Sequence, residues 1–289
     1  MAKVDILNYI SDDNILRSTY DTDTNELDIT DVPQNLNSVI TLGGGGGSGE
    51  WTTDGIASGT EPNGSITLGN TVTEISDYAF AGKPITSVTG PEVTSIRGIN
   101  ALKDTSITEI TDTEFPKLGV SVDFPLSLRL PNTCTKIKLS GSHVALSSGT
   151  AALRDCTGLV SAEFPNAAKD TPASLTSVGN NAFYGDSNLE IADLGYVKSI
   201  SSNAFYNCQA LVTVVLRSTS LVSLGGTSAI ASGTPFKNGG TGGTIYIPKV
   251  LYDHLGDGTS SDYQSATNWS TVYAYGTITW AKIEGSIYE

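Results

Sequence analysis

Cysteine, histidine, methionine and basic residues are all scarce in this chain, and each shortage excludes something. Three cysteines, Cys134, Cys156 and Cys208, stand in 289 residues. An odd, widely separated set is neither a disulfide framework nor a CxxC metal site. Cys156 and Cys208 each lie three residues before a leucine, Leu159 and Leu211. They read as small buried hydrophobes. His143 and His254 are the only histidines. They are far apart, with no nucleophile motif around either, so neither reads as catalytic. There is no GxSxG and no HExxH sequence. One methionine and few long helix formers argue against a helical protein. No apolar run approaches ~18 residues, so no membrane insertion is expected. Sixteen Lys and Arg face 30 Asp and Glu, a net charge of −14. Such a surface repels phosphate backbones, and nucleic acid is not an expected partner. The opening Met1-Ala-Lys-Val-Asp-Ile carries no recognisable secretory signal.

What the chain has in quantity is glycine, 31 residues of it, with many Ser, Thr and Asn. That composition marks many turns. Within it, the stretch Leu175–Leu216 says one thing twice. A Leu/Val-x-x-Val/Ile run (Leu175–Val178, Val197–Ile200) leads to Asn-Ala-Phe (Asn181–Phe183, Asn203–Phe205). A polar turn, a leucine (Leu189, Leu211) and another short apolar run follow. Phe183 and Phe205 are 22 residues apart, as are Phe80 and Leu102. A fixed period of this length is the mark of a stacked-repeat protein. Val72–Val88 and Val93–Ile110 carry the same unit. It degrades after Thr111, returns at Thr135–Leu139, and is interrupted by insertions at Ser140–Gly149 and Ala167–Ala173. It weakens again over Leu221–Phe236, and Ile245–Pro248 reads as the last strand.

The spacing predicts two parallel β-ladders with Phe80, Phe183 and Phe205 in one continuous spine. Side chains alternate along a strand. Ala192 and Leu194 are therefore expected inward, and Ile191 and Asp193 outward. The equivalent outward positions are Glu109, Thr111, Ser161, Glu163, Thr213 and Val215. These eight residues form the expected binding face. Reversing the charges of Glu163 and Asp193 is expected to weaken binding without unfolding. Two carboxylates on such a face could also hydrolyse glycosides, but solvated surface acids are the simpler reading.

Residues 1–50 form an expected N-terminal segment, 51–248 a solenoid and 249–289 a C-terminal cap. Arg17–Thr30 reads as strand, turn, strand. Asp21, Asp23 and Asn25 begin a calcium-loop pattern, but Glu26 and Val32 stand where it needs Gly and Glu. The run at 43–49 (GGGGGSG) is a loop, not a phosphate cradle, because no Lys-Ser/Thr follows. In the cap, Val250–Leu255 has helical spacing. Trp269, Tyr273, Tyr275 and Trp280 are expected to cover the open end of the core.

The unit Val/Leu-Thr-Ser-Val/Ile-x-x-x-Ala-Phe-x-x-Cys-x-x-Leu resembles the BspA-like (treponemal-type) leucine-rich repeat. Leu175–Leu189 and Val197–Leu211 match it best, and the likeness covers roughly 66–248. The tail from Ile245-Tyr-Ile-Pro248 to Ala266-Thr-Asn-Trp269-Ser270 is similar to the usual end of these arrays. The resemblance implies a mainly β, right-handed solenoid of about six or seven repeats. It also implies binding without chemistry, at a bacterial or virion surface, and no cofactor. The expected partner is an extracellular protein or carbohydrate. A structural or receptor-binding part of a phage virion is the second reading, and an acidic-site glycosidase a distant third. The oligomeric state is open.

Overall fold

The computed structural model describes residues 64–284 apart from 70–71, 76–77, 97–99, 119–127, 142–152, 168, 171–175 and 238–239, together with the backbone of five strands before residue 64. The calcium-like turn at 22–25, the glycine run at 43–48, His143 and most of the first expected insertion lie outside the described residues.

β1 (Lys3–Tyr9), β2 (Ile15–Asp21) and β3 (Glu26–Asp31) form an antiparallel sheet in that order. The antiparallel β2–β3 pair supplies the two strands expected within Arg17–Thr30. Every other pairing among the described residues is parallel. Next come β4 (Val39–Ile40), β5 (Gly49–Trp51), β6 (Gly64–Leu68), β7 (Glu74–Ile75), β8 (Ile85–Thr89) and β9 (Ser95–Ile96). They sort into two sheets, β4-β7-β9 and β5-β6-β8. After them the chain alternates between two further ladders. One is seven-stranded: β10 (Glu109–Thr111), β11 (Lys136–Lys138), β12 (Ser161–Glu163), β14 (Ile191–Asp193), β16 (Thr213–Val215), β18 (Gly243–Ile247) and β19 (Ile278–Lys282). The other joins β13 (Ser177–Val178), β15 (Ser199–Ile200) and β17 (Ser223–Leu224).

Strands of two or three residues cannot bury their own faces, so each rung is covered by its neighbours. One apolar cluster runs from Ile66 to Val272. Phe183 and Phe205 stack within it, ring centres 4.9 Å apart and planes 4° from parallel. Phe80 belongs to the same cluster. Backbone bonds place the rungs: Phe80 N–H donates to Ala101 O, Leu153 N–H to Ala182 O and Phe183 N–H to Ala204 O. The spine is therefore continuous in core but mixed in residue. Leucines hold it where the phenylalanine motif lapses.

The recurring asparagine has a backbone cause. Asn181 (φ 57°) and Asn203 (φ 58°) are left-handed, and Asn207 (φ 64°) is left-handed again after the phenylalanine. Asparagine tolerates that region better than most non-glycine residues. Tyr78 adopts φ 60° at the same place ahead of Phe80, an uncommon conformation for a bulky side chain.

Beyond β18, α1 (Lys249–Tyr252) and α2 (Trp269–Tyr273) are single turns. The helical spacing over 250–255 thus yields less helix than expected, because Gly256 and Gly258 follow with positive φ. Trp269 is buried, and both Tyr263 and Trp280 pack against it. The Trp269 Nε1–H donates to Val222 O, and the Tyr263 hydroxyl accepts the Val222 N–H. Tyr275 packs against the core, whereas Tyr273 is exposed. Buried Asp262 accepts the N–H groups of Gly256, Gly258 and Gln264. Burial pushes its carboxyl up, but those three donors outweigh it and hold it below the ordinary carboxylate value. No helix among the described residues is long and apolar enough to cross a membrane.

Candidate binding face

The seven-stranded ladder sets the expected face into two registered rows. The first position of β10, β11, β12, β14 and β16, with the second of β18, gives Glu109, Lys136, Ser161, Ile191, Thr213 and Thr244. The third position of those five strands, with the fourth of β18, gives the third row, Thr111, Lys138, Glu163, Asp193, Val215 and Tyr246. All eight expected residues fall in these rows. Sequence reasoning missed Lys136, Lys138, Thr244 and Tyr246, although the 135–139 and 245–248 runs that carry them were visible.

The rows differ in exposure. In the first, Glu109 is exposed and Lys136, Ser161, Ile191, Thr213 and Thr244 are half-buried. In the third, Thr111, Lys138 and Tyr246 are half-buried, but Glu163, Asp193 and Val215 are buried. The expectation that these three stand open to solvent is corrected, and the two buried carboxylates are each met by cations. Glu163 is 5 % exposed and lies between Lys136 Nζ at 3.5 Å and Lys138 Nζ at 3.4 Å. It also accepts the Ser161 hydroxyl at 2.9 Å. Asp193 is fully buried under Arg217, whose Nη2 reaches Oδ2 at 2.6 Å and whose Nε lies 3.0 Å from the same oxygen. The Gly195 N–H donates to Oδ1 at 3.0 Å. Reversing both charges would therefore set buried cations against Lys136, Lys138 and Arg217. It would test folding before binding.

Glu163 and Asp193 are registered neighbours on β12 and β14. Each is paired with its own cations, Glu163 with Lys136 and Lys138 and Asp193 with Arg217. His254 Nδ1 lies 2.6 Å from Asp257 Oδ2. The Thr259 N–H first, and then His254, hold the Asp257 carboxyl down at about 2. The three thiols are free and buried. Burial pushes Cys134 up to about 12 and Cys156 and Cys208 well above the ordinary thiol value. They lack the thiolate character a nucleophile or metal ligand needs. Among the described residues no group of three or more His, Cys, Asp or Glu is placed to hold a metal ion.

A second pattern lies off the strands. Tyr184 and Tyr206 each follow a spine phenylalanine and stack 5.0 Å apart, 9° from parallel. Arg154 covers Tyr184 at 4.6 Å. The 22-residue spacing of the two tyrosines was the available signal.

Parallel strands repeated along one core, joined by turns of fixed geometry, define a leucine-rich-repeat β-solenoid. The model of the BspA type leucine rich repeat region matches residues 58–122 and 126–227 with six copies. That is more than half of the chain, and the chain belongs to this family. A crystal structure of a leucine-rich repeat protein from Bacteroides ovatus is similar over 98% of this chain and 99% of that one, at 12% identity and a TM-score of 0.24. Among curated proteins none matches.

Proposed function

We propose that the chain is a non-catalytic binding module of an extracellular or virion surface, which recognises a host protein or glycan through the ladder of its solenoid. The observation that carries this reading is the registered first row. Glu109, Lys136, Ser161, Ile191, Thr213 and Thr244 stand one per rung on a parallel sheet. A stacked array offers an extended surface of this kind, whose side chains vary without disturbing the core beneath. The buried Glu163, Asp193 and Val215 of the third row support the first row rather than contacting a partner themselves.

The whole chain is applied to an array of host glycans and extracellular-matrix proteins, beside an Ile191→Lys/Thr213→Lys variant. Both changes fall on half-exposed positions. The expected result is retention of an array member by the parent and about tenfold weaker retention by the variant. No retained member, or equal retention by a variant with an unchanged circular dichroism spectrum, removes the ladder as the binding face.

A further inference from the structure

Cys156, Asp186 and Cys208 hold one position in three successive rungs. Each lies three residues before its rung's leucine, and its carbonyl accepts the N–H of that leucine, Leu159, Leu189 or Leu211. Two of the three are thiols, and both point back along the array. Cys208 Sγ donates to Phe183 O at 3.0 Å, and Cys156 Sγ lies 3.6 Å from Leu128 O. Asp186 puts a carboxyl in the same fully buried place. Its Oδ1 accepts the Cys156 N–H at 2.7 Å. Its Oδ2 is buried and has no hydrogen-bond partner among the described residues.

Among the described residues, the charged and titratable groups around this carboxyl are few. On the preceding rung they are the Cys156 thiol and the Asp155 carboxylate, and on the following rung the Cys208 thiol. Arg129 and Arg154 pair with Asp155 instead. An ionised Asp186 would be a buried charge without a counter-ion. A neutral carboxylic acid carries an O–H donor, as its two neighbours carry an S–H.

We infer that Asp186 stands in the folded protein as a neutral carboxylic acid, the oxygen counterpart of the cysteine at this position, and that its ionisation at rising pH weakens the array at this rung. Leu153 holds the place of Phe183 in its own rung, since their N–H groups donate alike to Ala182 O and Ala204 O. Leu153 O thus corresponds by position to Phe183 O, which accepts the Cys208 S–H. Burial, with Asp155 adding to it, pushes this carboxyl well above its ordinary value, against the Cys156 N–H. A raised value in the folded state means that the folded chain holds the proton longer than the unfolded one. The stabilisation is complete below the unfolded value of about 3.9 and is lost as pH rises through the folded one.

The test compares urea unfolding of the whole chain and of Asp186→Asn from pH 4 to 8. Asparagine keeps a donor and cannot ionise. In the window above about pH 4, the wild-type folding constant is expected to fall about tenfold per pH unit relative to the variant, the slope of one linked proton. Parallel profiles for the two proteins overturn the inference. Should Asp186→Asn fail to fold, Asp186→Cys restores the residue of the neighbouring rungs and is expected to remove the same slope. Infrared spectra of wild type carrying carbon-13 aspartate supply a readout that needs no variant. A carboxylic-acid band at pH 6 that disappears on unfolding is expected, and its absence from the folded protein refutes the neutral acid.

Discussion

Arg217→Met isolates what the cation over Asp193 contributes. Methionine keeps much of the apolar stem while removing the guanidinium. Asp193 has no exposed surface, and Arg217 is only 19 % exposed, so water cannot replace the lost donors without opening the corner. Asp193 would keep the Gly195 N–H but lose three contacts, at 3.2, 3.0 and 2.6 Å. Removing one partner of a buried pair costs about 3–5 kcal/mol, because the remaining charge is left uncompensated. Asp193→Asn on top of Arg217→Met removes that charge. The double variant is expected to be more stable than the sum of the single losses by about 0.5–3 kcal/mol. Urea denaturation followed by circular dichroism measures all three. A loss below about 1 kcal/mol for Arg217→Met would place the pair among screened surface contacts. It would refute the account of why the third row is buried.

Two further outcomes follow from the core. Phe183→Ala removes a fully packed ring that also stacks on Phe205; it is expected to cost about 3–5 kcal/mol by urea denaturation, and a cost under about 1 kcal/mol would mean the spine is not continuous there. The three buried thiols, with Cys134 pushed up to about 12, are expected to resist iodoacetamide at pH 8 in the folded protein and to react in 6 M guanidinium; mass spectrometry counts the adducts, and rapid native labelling would contradict their place in the core.

The fold was legible because its signal is redundant. Each unit repeats a spacing, a pair of apolar runs and a phenylalanine, so Phe183 and Phe205 predicted their own stacking. The alternation rule also found both rows of the ladder, since Ser161, Ile191 and Thr213 align in register, as do Glu163, Asp193 and Val215. It could not find which row is open, because exposure depends on side chains from neighbouring rungs. Nothing within Ile191–Leu194 announces that Arg217, 24 residues on, lies over Asp193. Asp186 was hidden for a related reason. The Cys-x-x-Leu element is read by its cysteine, and its rung carries an aspartate there instead. The equivalence shows in the leucine three residues on, whose N–H donates to the Asp186 carbonyl as Leu159 and Leu211 donate to those of Cys156 and Cys208.

The burial of the third row has a geometric origin in the corners that follow the strands. After β14 the chain turns at Gly195, whose φ is +60°. A Cβ there would lie 2.5 Å from Phe164 O and 2.7 Å from Ala167 N, so only glycine lets the corner sit this close to the preceding one. Backbone bonds then tie the corners into a stack of their own: Tyr196 N–H donates to Ala167 O, and Arg217 N–H to Gly195 O. This stack runs beside the third row and sets Arg217 over Asp193. A carboxylate drawn into that position must be met by a cation from an adjacent rung, or it would stand buried and uncompensated. At Glu163 the cations come from the preceding rung, through Lys136 and Lys138, and at Asp193 from the following one, through Arg217. Where β16 places Val215 in the row, no charge needs meeting. Under the proposed binding role, the first row offers a partner one residue on each rung, and specificity would come from the order of side chains along the array, a negative and a positive end at Glu109 and Lys136 running into the less polar Ile191 and Thr213.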